Sequence, residues 1–454
     1  MVSVDPELTR RPARGAARRR HRRAAEPPPS EPVRVDVSAA TFGGDAIARL
    51  PDGRVVFVPA VLPGESVLVQ LREQRADFAR GDALEVLRQA PGRVAPPCPY
   101  FRAGCGGCSW QHAEYQLQLH LKRAIVVEQL RRIGHLADAE QLVQPAIGMV
   151  DPWHYRNQAR FTVGRKLGEL CFTYRGSHGL LRVDHCAIAH PRINDVLARL
   201  QGRLGQVERR IHQVTIRVGS NTGGLMVSPA LPEVPDVDSG QPFLEEELLG
   251  TRFRLRGPSF FQVNTRRERR EPRPLPAAAG NPPVPLPADG VSMAELLALL
   301  VMARLAPRGH ELVVDAYCGV GTFALLLAPL VAEVVGIEEA RVAVADAEYN
   351  GRGFPNARFV LGKTEHVLPN LTLDRRPDAV VLDPARAGAH PAVLEALLAP
   401  RLRPRRLIYV SCDPATLARD LGVLTAGGYT VEQVQPLDMF PQTYHLECVA
   451  TLTT

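Results

Sequence analysis

Short runs of β-forming residues open the ordered part of the chain. VRVDVSA, VVFVPA and ESVLVQL fall between 33 and 71, separated by turn signals at Gly43-Gly44, Pro51-Asp52-Gly53 and Pro63-Gly64. The stretch 33–90 therefore predicts a small antiparallel barrel, which either grips oligonucleotides or serves as a plain structural β-module. From 91 to 265 a cysteine cluster precedes an amphipathic helix around 113–133 and the strand-like runs QARFTVGR and QVTIRVG. Residues 266–290, RRERREPRPLPAAAGNPPVPLPADG, are charged and then proline-rich, and read as a linker or exposed loop. From 291 to 454 helical runs (MAELLALLVMARL, FALLLAPLV, LEALLAP) alternate with apolar strand runs (ELVVDAY, EVVGIE, DAVVLD, RLIYVS). That alternation predicts a doubly wound parallel sheet, whose ligands sit beyond the carboxyl ends of the strands.

A length of 454 residues suggests two to four domains, and 45% hydrophobic with 23% charged residues excludes wholesale disorder. The longest apolar candidate, 312–337, carries Asp315 and Glu333, so no membrane span is expected. No apolar segment follows the basic amino terminus, which makes the cytoplasm the expected compartment. The net charge of +7 changes the picture little. Residues 1–32 hold eight Arg against Asp5, Glu7, Glu26 and Glu31 (8 − 4 = +4), leaving 7 − 4 = +3 for the rest. This arm reads as disordered, either touching RNA or simply solvated. Eight Cys in a cytoplasmic chain are expected to be ligands, nucleophiles or small buried hydrophobes rather than disulfides.

Three places at predicted strand ends, and one within a β-run near the carboxyl terminus, carry candidate chemistry. Asp315 ends ELVVDAY, and the turn CGVGTF brings Gly319 and Gly321 to the start of a helix, where backbone N–H groups can approach a ligand. Glu338, ending EVVGIE, is placed to accept from ribose hydroxyls. The pair fits a nicotinamide or an S-adenosyl ligand equally. DAVVLDPARAG delivers Asp383 to the same edge, or is a strand-end turn. LIYVSCDPATLARDL puts Cys412 beyond a strand and beside a helix amino terminus, where a thiolate is stabilised; a buried structural Cys is the plain alternative. Glu447 interrupts the apolar run HLECVATL, and is either functional or on a solvent face. A fifth place is CPYFRAGCGGCSWQH. Cys98, Cys105 and Cys108 supply three sulfurs, with Cys186 the best fourth and Cys171 the next, for zinc or an iron–sulfur cluster.

Taken together, CGGC followed by Trp110-Gln111-His112, FFQVN at 260–264, DAYCGVGTF, LDPARAG, VSCDPATLARDL and LDMFPQTYHLE resemble the RNA uracil-5 methyltransferases dependent on S-adenosylmethionine. The resemblance covers about 33–454. It is closest to the branch that methylates large-subunit ribosomal RNA and carries an amino-terminal TRAM barrel; the transfer-RNA branch is the rival. It implies a multidomain α/β chain: a TRAM-like, RNA-binding barrel, a central α+β domain holding a [4Fe-4S] cluster, and a Rossmann-like class I methyltransferase domain. It also implies Cys412 as nucleophile and Glu447 as general base. Gln262, Tyr317, Glu338 and Asp383 would bind or border S-adenosylmethionine, and Cys98, Cys105, Cys108 and Cys186 would hold the cluster. Three features depart from the family pattern: one extra residue between Cys98 and Cys105, the inserted 266–290 segment, and Thr322 where some relatives have Asn.

The chemistry explains these residue types. Uracil C5 is too weak a nucleophile to take a methyl group directly. Thiolate addition at C6 creates an enolate that can, and a base must then remove the C5 proton. The target base has to be unstacked, so RNA-gripping surfaces are required beyond the catalytic domain. The expected partner is RNA, with no membrane and no obligate protein partner. Two readings from other classes remain: a non-catalytic RNA-binding factor on the same fold, and a nicotinamide-dependent oxidoreductase with a zinc module, which gives no role to SCDP or FFQVN.

Overall fold

In the computed structural model, which describes residues 31–164, 168–206, 210–271 and 285–454, the first strands close on themselves. β1 (Val33–Ala40), β2 (Ala46–Arg49), β3 (Val55–Val58), β4 (Ser66–Gln74) and β5 (Phe78–Arg88) form a closed barrel in the order β1-β2-β3-β5-β4. Alternation builds it, because Val35, Val37, Ala46, Ala48, Val56, Val58, Val67 and Val69 all face the interior. One pairing differs from the expected antiparallel barrel: β3 and β5 run parallel, since the chain passes through β4 before returning beside β3. In β5 a Cβ on Gly81 would collide with the Val69 side chain and the Gln70 carbonyl, so only glycine lets the two longest strands approach there. The expected arm lies outside the described residues except for 31 and 32. So does 272–284 of the expected linker; its flanks meet where Glu268 and Val291 exchange backbone hydrogen bonds of 3.3 and 3.0 Å.

The middle of the chain contributes α1 (Pro99–Arg102), α2 (Tyr115–Arg132), α3 (Ala139–Leu142) and a five-stranded sheet. Its strands are β6 (Gln158–Val163), β7 (Leu170–Thr173), β8 (Leu180–Arg182), β9 (Gln213–Val218) and β10 (Leu225–Ser228). They pair in the order β10-β9-β6-β7-β8. α4 (Pro191–Leu200) packs Ile193, Val196 and Leu197 against Phe161, Val214 and Ile216 of that sheet. A hairpin of β11 (Leu244–Leu248) and β12 (Thr251–Leu255) follows. α2 has a second allegiance. Its Val126, Val127 and Leu130 share a core with Val380, Leu382 and Tyr409 of the carboxyl-terminal sheet, while Gln118 and Lys122 are also fully buried.

The carboxyl-terminal part opens with α5 (Met293–Leu305), started by a capping box in which Ser292 and Glu295 satisfy each other's backbone N–H groups. There follow β13 (Leu312–Ala316), α6 (Thr322–Leu327), β14 (Glu333–Glu338), α7 (Arg341–Asn350), β15 (Ala357–Leu361) and α8 (Thr364–Val367). The chain continues through β16 (Ala379–Leu382), α9 (Pro391–Leu398), β17 (Arg406–Ser411), α10 (Pro414–Ala426), β18 (Thr430–Leu437) and β19 (Glu447–Thr453). The sheet order is β15-β14-β13-β16-β17-β19-β18. β13 to β17 pair in parallel, as the alternation predicts, and the order reverses between β13 and β16, where ligand crevices form. The last two strands depart from the parallel pattern: β19 is antiparallel to both its neighbours. Among the described residues no helix is long and apolar enough to cross a membrane.

Candidate active site and cysteine cluster

The glycine turn forms where the strand order reverses. Asp315, wholly buried at the end of β13, accepts the N–H of Ala324 in the first turn of α6 at 2.9 Å, tying helix to strand. Burial drives its carboxyl well above the ordinary range, and the nearby Asp383 and then Glu338 push the same way. In the turn itself Gly319 and Gly321 adopt φ of 56° and 85°. Tyr317 does so too, at 70°, a conformation that costs a non-glycine residue roughly 1–3 kcal/mol and that clusters at functional sites. Its phenol is half-buried and pushed up to about 12, chiefly by burial. The Glu338 carboxylate accepts from the N–H groups of Gly319 (3.1 Å) and Ala340 (2.7 Å), so the acid after the second strand also braces the turn. Gln262 is buried on the segment between β12 and α5. Next to it, Phe261 shares a core cluster with Val320 and Phe323, which seats the segment against the turn.

Beyond the neighbouring strands the structure brings Asp383, Cys412 and Glu447 together. Asp383 follows β16 directly and Cys412 follows β17. Register sets the third member, for Ser411 pairs with Cys448 and Leu437 with Glu447. Because β19 runs backwards, its first residue lies at the carboxyl edge. Glu447 is buried, and so are Leu446 and Cys448, since both faces of β19 are covered, Val449 packing into one core and Leu446 and Cys448 into the other; the solvent-face reading does not apply.

This electrostatic environment corrects the expected thiolate. Asp413 caps α10, its Oδ1 accepting from Ala415 (2.9 Å) and Thr416 (3.0 Å), so the helix amino terminus is already satisfied by a carboxylate. Burial pushes the Cys412 thiol up to about 12, Glu447 and Asp383 add to it, and Arg386 only partly opposes them. Glu447 is likewise raised well above its usual value by burial and by Asp383, and Asp383 by burial. Three acids crowd one dry corner, and each is held above its usual value. Sequence reasoning missed Arg386, which sits in the LDPARAG motif itself. It also missed His445, whose imidazole burial drives down to about 4 and keeps neutral.

Cys98, Cys105, Cys108 and Cys186 line one cavity of about 220 Å³, walled by Phe101, Phe172 and Ile188. Cys98 caps α1. Cys105 is fixed by its N–H to the Tyr100 carbonyl (2.8 Å), and Cys186 by exchanged hydrogen bonds with the Asn194 amide (2.8 and 3.1 Å). Cys171 does not reach the cavity; its thiol donates instead to the Glu169 carbonyl at 3.6 Å. Burial pushes the Cys108 thiol up to about 12, and the other three sulfurs add to that. Among the described residues no group of three or more His, Cys, Asp or Glu is drawn together tightly enough for a single metal ion.

The family described as tRNA (Uracil-5-)-methyltransferase matches residues 367–454, and the TRAM domain matches 31–84. A Gloeobacter violaceus protein described as an uncharacterized RNA methyltransferase is 37% identical over 473 residues, spanning 92% of this chain and 96% of its own. A Halalkalibacterium halodurans protein of the same description is 33% identical, with the same coverage. The solved structure of Pyrococcus abyssi tRNA (uracil-54, C5)-methyltransferase, in complex with S-adenosyl-L-homocysteine, shares the fold with a TM-score of 0.66 and 22% identity. That match covers 92% of this chain and 99% of the other. The barrel, the sheet and relatives that span nearly the whole chain agree, and this chain belongs to the S-adenosylmethionine-dependent RNA uracil-5 methyltransferases, as a member with an amino-terminal TRAM barrel.

Proposed function

We propose that the protein methylates C5 of a uridine in large-subunit ribosomal RNA, with Cys412 as nucleophile and Glu447 as general base. The observation that carries this is the meeting of Cys412, Glu447 and Asp383 at adjoining strand ends, beside the Tyr317–Gly321 turn. In the substrate complex Cys412 releases its thiol proton to solvent and adds to C6, the C5–C6 electron pair moving into an enolate that makes C5 nucleophilic toward the methyl group, while the Glu447 carboxylate stays free. Glu447 then takes the C5 proton, the C5–C6 double bond reforms, and the C6–S bond breaks to release Cys412. Gln262, Tyr317, Glu338 and Asp383 hold the methyl donor at the crevice.

Cys98, Cys105, Cys108 and Cys186 fit a [4Fe-4S] cluster better than a lone zinc ion. The thiols surround a cavity with apolar walls, and no three of them converge as a single ion requires. Such a cluster, when bound, supplies a rigid cross-link between four points of the chain. The barrel at 33–90 and the central region at 91–265 serve as RNA-gripping surfaces around the 291–454 methyltransferase domain, and 266–290 as an insertion between them. A reduced compartment, the cytoplasm, suits eight unpaired cysteines.

Transfer RNA is the second reading, favoured because the solved Pyrococcus abyssi tRNA (uracil-54, C5)-methyltransferase shares the fold over 92% of this chain. Transfer of labelled methyl to unmodified ribosomal and transfer RNA, with Cys412→Ala beside wild type, tests both. Label in large-subunit RNA that vanishes in the variant is the expected result. Label in transfer RNA alone overturns the substrate, and no label in either overturns the activity.

A further inference from the structure

The loop 438–446 delivers Glu447 to the sheet edge, yet among the described residues every hydrogen bond leaving its backbone ends outside the methyltransferase sheet. The Asp438 N–H donates to the Ile147 carbonyl, the Asn264 amide to the Met439 carbonyl (3.1 Å), and the Tyr155 hydroxyl to the Pro441 carbonyl (3.0 Å). Two residues of α2, one turn apart, make the central grip. Lys122 Nζ donates to Asp438 at 2.5 Å and to the Phe440 carbonyl at 3.2 Å. Gln118 exchanges two 3.0 Å hydrogen bonds with Gln442, its amide donating to Oε1 and its oxygen accepting the Gln442 N–H. Gln442 needs such support, because its φ is +67° in the left-handed region. Its carbonyl accepts from Ser109 and Trp110, both at 3.0 Å, immediately after the Cys105–Cys108 hairpin.

We propose that Gln118 and Lys122 are positioning residues for proton abstraction, setting the path of 438–446 and through it the place of the Glu447 carboxylate. The inference rests on the reading of Glu447 as the base. The step at stake is elimination: Glu447 accepts the C5 proton, the C–H electron pair becomes the C5–C6 double bond, and the C6–S pair returns to Cys412. Addition and methyl transfer precede it and use other atoms. A shifted Glu447 therefore stalls the reaction as a methylated RNA still bonded to Cys412. Damage that is merely structural lowers the rate without changing this partition.

The experiment uses the full chain and whichever RNA, large-subunit ribosomal or transfer, the wild type methylates, with Glu447→Gln as reference. Gln118→Ala is one variant. Lys122→Met with Asp438→Leu is the second, chosen because it leaves no unpaired buried charge and so keeps the fold testable. The expected result is a kcat loss of roughly 10- to 100-fold, denaturant-resistant RNA–protein adduct as in Glu447→Gln, and unchanged affinity for RNA and S-adenosylhomocysteine. Loss of rate without adduct, or in step with RNA affinity, while Glu447→Gln still accumulates adduct, overturns the inference alone. Wild type that methylates neither RNA overturns the proposed function, and this inference with it.

Discussion

Replacing Lys122 by Met tests how the buried pair holds two parts of the chain together. Both side chains are 0% exposed, and Lys122 and Asp438 lie 316 residues apart in sequence. Met fills the volume of the Lys stem, so what is lost is the charge and its two hydrogen bonds, while Asp438 stays behind in a dry site. Breaking a buried pair in this way costs about 3–5 kcal/mol, most of it from the uncompensated partner. Adding Asp438→Leu removes that partner and should recover part of the loss, stopping about 1–3 kcal/mol short of wild type because Asp438 also accepts from the Phe440 N–H (3.2 Å) and the Tyr115 hydroxyl. Urea unfolding of the wild type, both single variants and the double variant gives the cycle. The variant should also respond to pH. Burial raises the Asp438 carboxyl from 3.8, and Lys122 is the largest influence holding it down, so without Lys122 it rises further. A folded value above the unfolded one means that the folded state binds the extra proton, and stability is lost as pH rises through the folded value. The deficit of Lys122→Met relative to wild type therefore shrinks on going from about pH 7 to about pH 5. A single-variant cost under about 1 kcal/mol, or a double variant no more stable than Lys122→Met, refutes the reasoning.

Other predictions are independent of that pair. Asp413→Ala removes the cap on α10 and should cost about 1 kcal/mol in urea unfolding, and an unchanged midpoint argues against the cap. Anaerobically prepared Cys186→Ser should lack iron–sulfur absorbance that Cys171→Ser keeps; equal spectra from the two variants remove Cys186 from the cluster. The Cys412 thiol, held near 12, should alkylate slowly with iodoacetamide at neutral pH, as read by mass spectrometry of its peptide. S-adenosylmethionine brings a positive charge that S-adenosylhomocysteine lacks, so the former should speed alkylation about tenfold per unit by which the thiol falls. Identical rates with the two ligands count against the electrostatic account.

Much of this was legible in the sequence, for reasons of range. Valine alternation around tight turns predicts the barrel, and the helix–strand alternation after 291 predicts the parallel sheet, because both signals are local. The glycine turn and Cys412 were legible as motifs at strand ends. Cys186 was named ahead of Cys171 from its motif and its place in the chain, and in the structure it lines the cavity of the other three cysteines. The direction of β19 was not legible, since an apolar run carries no sign of which way it is threaded. Nor were Gln118 and Lys122, because an amphipathic pattern counts polar residues as surface and their partners lie more than 300 residues away. The upward push on the Cys412 thiol was not legible for a related reason. A helix amino terminus lowers a thiol, but the outcome turns on which carboxyls the fold brings beside it, and Glu447 and Asp383 arrive from other strands.

The reversed strand and the crowded corner belong to one design problem. Parallel strands offer the carboxyl edge only their last residues, and each then leads into a helix, so a carboxylate on such an ending shares the freedom of a loop. An antiparallel strand offers its first residue instead. Glu447 is paired with Leu437 from the moment it enters the sheet, so its backbone is fixed by register. The reversal that makes this possible, 438–446, crosses above the edge with few partners in its own sheet, and α2 and the segment after the cysteine hairpin supply them. The same corner must stay folded before any substrate arrives. Ionised together in a dry site, three acids there would repel one another, and each is accordingly held above its usual value. Ionisation then becomes affordable only when a cation and an acceptor base enter, which ties activation of Cys412 to the assembled complex and leaves the free protein's nucleophile quiet.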